Sequence, residues 1–223
     1  MEDQNERALA AERYRDYADM YRFFGGAMLY ELTAEQIDLL AGADLSADDD
    51  MDPEAAEGYK WLHTYLSRRG EDARRDLAVD YARIFLAAGV YEGDTAVPYE
   101  SVFLSEEHIL MQEPRDEVVS AYKAWGYAVR DDMNIPEDHA GFEFEFAALL
   151  ADRIADALEA GEDCSAEVAA QSDFIEKHML SWLPMLKDRV DTFAELRFYP
   201  ALMRIECGTL RENLADNTSL LRS

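Results

Sequence analysis

PEDHAGFEFEFAALLADRIADALEAG, residues 136–161, is the stretch whose reading decides the fold class. Phe142, Phe146, Leu149, Leu150, Ile154 and Leu158 recur at intervals of three and four, which places them on one face of a helix of period 3.6. Pro136 opens this helix and Gly161 closes it, the usual asymmetry of proline at a start and glycine past an end. Outward toward the C-terminus, Ser165 caps a helix carrying Phe174, His178, Trp182 and Leu183. Pro184 forces a kink or a new start, and a final helix after Pro200 buries Leu202, Ile205 and Leu210.

Toward the N-terminus the same period returns. Residues 3 to about 30 place Leu9, Tyr14, Tyr17, Tyr21, Phe24 and Leu29 at mostly helical spacing, with an end expected near Gly25-Gly26. Thr33-Ala-Glu-Gln36 reads as a capping box for a short helix. Asp52 caps and Pro53 opens a helix that runs until Gly70, and a further helix runs from Glu71 to Leu86. Ser105 with Glu106 and Glu107 reads as a helix start, and Pro114 begins another helix that ends before Gly126. No stretch alternates with period two between turn residues. The expectation is an all-α chain, a single helical bundle of about nine to eleven helices. Within one domain over residues 1–223 we expect an N-terminal lobe over 1–130, a connector at 131–139 and a C-terminal lobe over 140–223.

Composition narrows the function classes. Forty-eight Asp plus Glu against twenty-one Lys plus Arg give a formal net charge of −27, so phosphate would be repelled and nucleic acid is excluded as the main partner. Only four cations are lysines, and an acidic, lysine-poor surface is also what adaptation to a salty cytoplasm produces. At an ionic strength on the order of 1 M the Debye length is about 3 Å, so only carboxylates within a specific site count toward recognition of a cation. Two cysteines, Cys164 and Cys207, form no metal-ligand spacing and fit a reducing compartment, and no run is apolar enough to insert stably in a membrane. We therefore expect a cytoplasmic protein.

The residues offer little enzyme chemistry. Walker and dinucleotide loops, the GxSxG elbow and HExxH are all missing from the sequence, and among four histidines only His139 with Glu143 makes an i,i+4 pair. His139 would equally hold a neighbouring carboxylate to fix the helix start. No metal and no cofactor is expected. Most aromatics, including Tyr59, Trp61, Tyr65, Phe142, Phe146 and Trp182 beside His178, read as core. Tyr99 and Phe103 differ, because they follow Pro98 in a stretch without helical or strand period. Ordered loops that carry large side chains are disproportionately functional.

In order along the chain stand Tyr81-Ala-Arg-Ile-Phe85, Gly89, Pro98-Tyr-Glu-Ser-Val-Phe103, Pro136-Glu-Asp-His139 with Glu143, Phe174-x3-His178-x3-Trp182, and Phe198-Tyr199. This ordered set resembles the signature of the TorD/DmsD/NarJ family, cytoplasmic chaperones that mature molybdenum-containing oxidoreductases before twin-arginine export. The chain departs from the family pattern at Ala87-Ala88-Gly89, at Val97-Pro98 and at Ile135. The resemblance implies a TorD-like fold and a non-enzymatic chaperone. Its partners would be the twin-arginine signal peptide and the apo form of a DMSO/TMAO or nitrate reductase type of enzyme. A peptide with two guanidinium groups and an apolar segment needs bidentate carboxylate acceptors beside an apolar groove. On that reading Glu100, Asp138 and Glu143 are the acceptors, Tyr81, Phe85, Tyr99 and Phe103 line the groove, Pro98 and Ser101 belong to the same loop, and His139 orients Asp138 or meets the peptide. Two other readings stay open: a metal-dependent hydrolase using His139 and Glu143, and a general acidic helical adaptor. A monomer and a dimer swapped across the connector are both compatible with the sequence.

Overall fold

A computed structural model describes residues 2–48, 50–86 and 96–222, apart from the side chains of residues 2 and 3. Among these residues there are ten α-helices and one π turn. They are α1 (Glu2–Leu29), α2 (Ala34–Gly42), α3 (Pro53–Ser67), α4 (Ala73–Phe85), α5 (Glu100–Leu104), α6 (Glu113–Ala124), α7 (Ala140–Ala160), α8 (Ser165–Phe174), α9 (Leu183–Phe193) and α10 (Phe198–Leu220). The π turn spans Ile175–Met179, between α8 and α9. The all-α expectation and the helix count hold. Ala87, Ala88 and Gly89 lie outside the described residues.

Local signals account for most of the boundaries. Thr33 and Gln36 form the reciprocal capping box, Asp52 accepts from the amides of Glu54 and Ala55, and Gly161 closes α7 in left-handed backbone at φ 70°. Several boundary expectations fail: Pro136 lies ahead of α7, which starts at Ala140 with His139 as N-cap, Ser165 is the first residue of α8 rather than its cap, and α1 runs through Gly25-Gly26. Ser105 is the C-cap of α5, and 106–107 form a turn rather than a helix start. The stretch read as a loop without helical order contains α5, a helix whose N-terminal donors are met by a residue far away in sequence.

The chain divides into two compact units. The first comprises residues 1–26, 99–181 and 213–223; the second comprises 27–98 and 182–212. The divisions fall inside α1 and inside α10, and the connector at 131–139 lies within the first unit.

In the first unit α7 is buried along most of its length. Phe144 meets Phe24 at 5.5 Å between ring centroids and Phe146 meets Phe174 at 4.7 Å. Tyr14, Tyr17 and Tyr21 share one face of α1, as their spacing predicts. Their hydroxyls donate to Asn217, Asp216 and Asn213 at 2.6, 2.7 and 2.9 Å, so each buried phenol is satisfied.

Gly25 does not stop α1. A Cβ there would lie 2.8 Å from the Gly141 carbonyl oxygen, whereas at Gly26 nothing stands within 4 Å. Glycine is therefore retained at position 25 for close backbone approach rather than for chain reversal. In an open helix interior, Gly→Ala is worth about 0.5–1 kcal/mol. Gly26→Ala should gain about that much, whereas Gly25→Ala should lose about 1–3 kcal/mol by overpacking. Urea unfolding of the two variants reads the opposite signs directly, and a gain at position 25 would contradict the close approach.

The second unit is built around α3, α4 and α10. Tyr81 stands 5.3 Å from Phe85 and 6.0 Å from Tyr199 between ring centroids, and Phe85 meets Tyr199 edge-on at 5.4 Å. Asp80 is enclosed in this unit. Its oxygens accept from the amides of Glu195 and Leu196 at 2.9 and 3.0 Å and from Arg83 at 3.0 Å, which ties α4 to the turn before α10. Burial pushes the Asp80 carboxyl upward while these donors oppose the rise.

Candidate functional site

The site residues expected at Tyr99–Phe103 and at Asp138–Glu143 come together in the first unit. Tyr99 and His139 pair through an isolated antiparallel bridge, and the Glu100 amide donates to the Asp138 carbonyl at 3.0 Å. The Asp138 carboxylate then accepts from the Ser101 amide at 2.9 Å through Oδ2. One residue thus satisfies two of the amides that the first turn of α5 would otherwise leave without acceptors. A five-residue helix has no stability of its own, so its existence depends on this long-range cap.

His139 does the corresponding work at α7. It is the N-cap, and the Gly141 amide donates to its Nδ1 at 3.0 Å. An Nδ1 that accepts carries a lone pair, so the neutral ring holds its hydrogen on Nε2. Burial pushes its pKa down to about 3, in keeping with a neutral cap. The ring stands edge-on to Tyr99 at 4.9 Å. With Nδ1 occupied, that nitrogen is unavailable to a metal. Among the described residues no group of three His, Cys, Asp or Glu side chains is placed to hold one. The hydrolase reading therefore gains no geometric support.

Glu100 points inward to His178, whose Nδ1 lies 3.2 Å from both carboxylate oxygens. Burial pushes the Glu100 carboxyl upward; the His178 contact pulls it back, and the Asp138 charge adds to the rise. His178 also lies against the Phe174 ring at 5.1 Å. Tyr122, completely enclosed, donates to the Glu137 carbonyl, and its phenol is raised first by burial and then by Glu143, with Asp138 and Glu100 contributing. Three acidic side chains therefore act on one small interior region.

Glu100, Ser101, Asp138 and Glu143 are only 0–2% exposed. Phe103 is also buried, and Tyr99 is half-buried. A ligand reaches these carboxylates only if α5 or the start of α7 gives way. Two enclosed polar atoms in this region, Asp138 Oδ1 and Ser101 Oγ, have no hydrogen-bond partner among the described residues, an unusual condition for buried polar groups. The expectation that His139 orients Asp138 takes another form here. The two are neighbours in sequence that cap different helices. Tyr81, Phe85 and Pro98 are buried residues of the second unit, where Tyr81 donates to the Met28 carbonyl at 2.9 Å.

Sequence reasoning assigned His178 to the core and passed over Asp80. Glu100 and His178 are 78 positions apart, and the amides that Asp80 accepts from are more than a hundred positions away, so no local pattern signals either pairing. The recurrence of His178 in the ordered family signature was the one available sign.

The described residues contain no helix long and apolar enough to cross a membrane. Comparison with known proteins gives a match to the family model described as the nitrate reductase delta subunit, over residues 48–188. The chain is 32% identical over 143 residues to the chaperone protein TorD of Vibrio cholerae serotype O1, covering 64% of this chain and 63% of that protein. It is 26% identical over 195 residues to the chaperone protein TorD of Vibrio vulnificus, covering 84% of this chain and 88% of that protein. For the TorD protein of Vibrio atlanticus the figures are 25% over 210 residues, with 89% and 94% covered.

Proposed function

The chain belongs to the nitrate reductase delta subunit family, and from that premise we propose that it is a non-enzymatic maturation chaperone for a molybdenum-containing oxidoreductase. On this reading it acts in the cytoplasm, binding the client's twin-arginine signal peptide and its apo form until the cofactor is in place. The observation that carries the reading is Asp138. Its carboxylate accepts from an amide of α5 through one oxygen and keeps the other, enclosed, without a donor among the described residues. A guanidinium presents five N–H donors in a planar fork, so it would fill the vacant acceptor and replace the Ser101 amide at the same time. Glu100, freed from His178 by the same movement, would be the second acceptor.

Peptide entry then competes with the docking of α5. This changes which substitution is informative. Alanine at both Asp138 and His139 would remove two helix caps, each worth about 1 kcal/mol, and would confuse binding with folding. Asp138→Asn keeps the size and a carbonyl acceptor for Ser101 while removing the charge. The circular dichroism spectrum should be unchanged, and affinity for a synthetic peptide carrying Arg-Arg and an apolar tail should fall about 10–100-fold, the range for a hydrogen bond to a charged group. For wild type, a Lys-Lys peptide should bind more weakly than the Arg-Arg peptide, since lysine offers no fork. Undiminished affinity in a folded Asp138→Asn protein would remove Asp138 from the reading.

A further inference from the structure

Immediately after α5 the chain exposes apolar side chains in close succession. Leu104, Ile109, Leu110 and Met111 are 40–56% exposed, and they supply four of the eleven large hydrophobic side chains exposed among the described residues. Apolar residues exposed singly need no explanation, whereas a contiguous group with a polar rim marks an interaction site. The backbone here is also unusual. His108 and Met111 take left-handed conformations at φ 53° and 65°, which side chains with a Cβ disfavour. His108 is anchored through its Nδ1 to the Val102 carbonyl of α5 at 3.1 Å. The apolar side chains are thus held outward by a segment fastened to α5, the helix that begins at Glu100.

The rim carries one sign of charge. Glu106, Glu107 and Glu113 are exposed beside the apolar residues, and Asp116 and Glu117 follow on α6. The one cation between residues 104 and 117, Arg115, already forms a fork with Glu137 at 2.7 Å through both Nε and Nη2. An apolar surface with an acidic rim complements a segment in which cations precede an apolar run.

We propose that the segment Leu104–Met111 is the docking surface for the apolar run that follows the paired arginines of the client peptide, in place of the buried rings of Tyr81 and Phe85. The proposal rests on the peptide-binding reading above and assigns the apolar half of the ligand to a surface. Docking at this surface engages the segment directly joined to α5, so the apolar run and the arginines act on the same latch.

The test uses the full-length protein with Ile109→Ser and Leu110→Ser together, two exposed changes expected to leave the circular dichroism spectrum and urea midpoint unaltered. Two labelled peptides are compared, one with Arg-Arg and an apolar tail, the other with Arg-Arg and a serine-glycine tail. The variant should bind the apolar-tailed peptide at least about 10-fold more weakly, since each removed side chain forfeits much of a buried aliphatic group. It should bind the polar-tailed peptide like wild type. The loss for the apolar tail should persist in about 1 M salt, where charge steering is screened. Equal wild-type and variant affinity for the apolar-tailed peptide would overturn the assignment while leaving the peptide-binding reading intact. Failure of wild type to bind either peptide would overturn both. A self-association of wild type that the variant lacks, with peptide affinity unchanged, would overturn the proposal and assign the surface to a second copy of this chain.

Discussion

Replacing Glu206 with glutamine is expected to remove a loss of stability of about 1.4 kcal/mol per pH unit that the wild-type protein suffers above the ordinary carboxylate range. Glu206 sits on α10 in the second unit, fully enclosed between the buried side chains of Ile205 and Cys207 in sequence, and neither of its carboxylate oxygens has a hydrogen bond among the described residues. An isolated buried carboxylate costs several kcal/mol, so burial alone pushes this group well above its usual value. The unfolded chain releases the same proton near its ordinary value of about 4.3. Between the two values the native state binds one proton more than the unfolded state, so stability falls as pH rises. The contribution is fully present below the unfolded value and is lost as pH climbs through the folded one. Urea unfolding at a series of pH values from 5 upward, with wild type and Glu206→Gln compared at each, isolates this group as the difference between two curves. That difference should widen with pH in favour of the variant. Glu206→Met, which also removes the charge, should show the same trend. Parallel curves would mean that the carboxylate is ionised in the folded protein and has a partner.

The architecture was largely legible because most helix boundaries here are local. The pattern of Phe142, Phe146, Leu150 and Ile154, the capping box at Thr33, Asp52 ahead of Pro53 and the left-handed Gly161 each involve residues a few positions apart. Two of the failures share one physical cause. At Gly25 the limiting object is the Gly141 carbonyl on another helix, and at α5 the capping group is Asp138, 37 residues from the amide it accepts from. A periodicity reads a helix's own faces and cannot see what another helix brings to them.

At the candidate site the sequence indicated which residues belong together but not how they are used. Tyr99, Glu100, Ser101, Asp138 and His139 do meet. Yet Asp138 and His139 serve as caps and Glu100 is turned toward His178, so these groups are structural before they are available to any ligand. Spacing gives no warning of this, because the same carboxylate on the same loop reads identically whether it faces water or the interior. Burial is decided by the assembled helices, and it encloses carboxylates that the sequence placed beside a groove.

The buried contact of Glu100 with His178 predicts the second large effect. His178→Ala should destabilise the protein by about 3–5 kcal/mol, the range for leaving a buried acidic group without its partner. The π turn makes the contact. The Leu180 amide donates to the Ile175 carbonyl at 2.8 Å, the widened turn that π geometry introduces, and His178 lies inside it with its ring against Phe174 and its Nδ1 on Glu100. Such turns interrupt α-helices at functional positions more often than chance placement would give. Removing the imidazole leaves the Glu100 carboxylate only 2% exposed and without the contact that opposes its burial. Removing the charge first should relieve most of that cost. In a Glu100→Gln background, His178→Ala should cost about 1–3 kcal/mol, the ordinary penalty for a buried group deprived of its hydrogen bond. Urea unfolding of the four proteins at pH 7 gives the coupling, which should exceed about 1 kcal/mol for groups in direct contact. Additive losses would mean that Glu100 does not depend on His178. The inward turn of Glu100 would then need another cause, and α5 would be held by Asp138 alone.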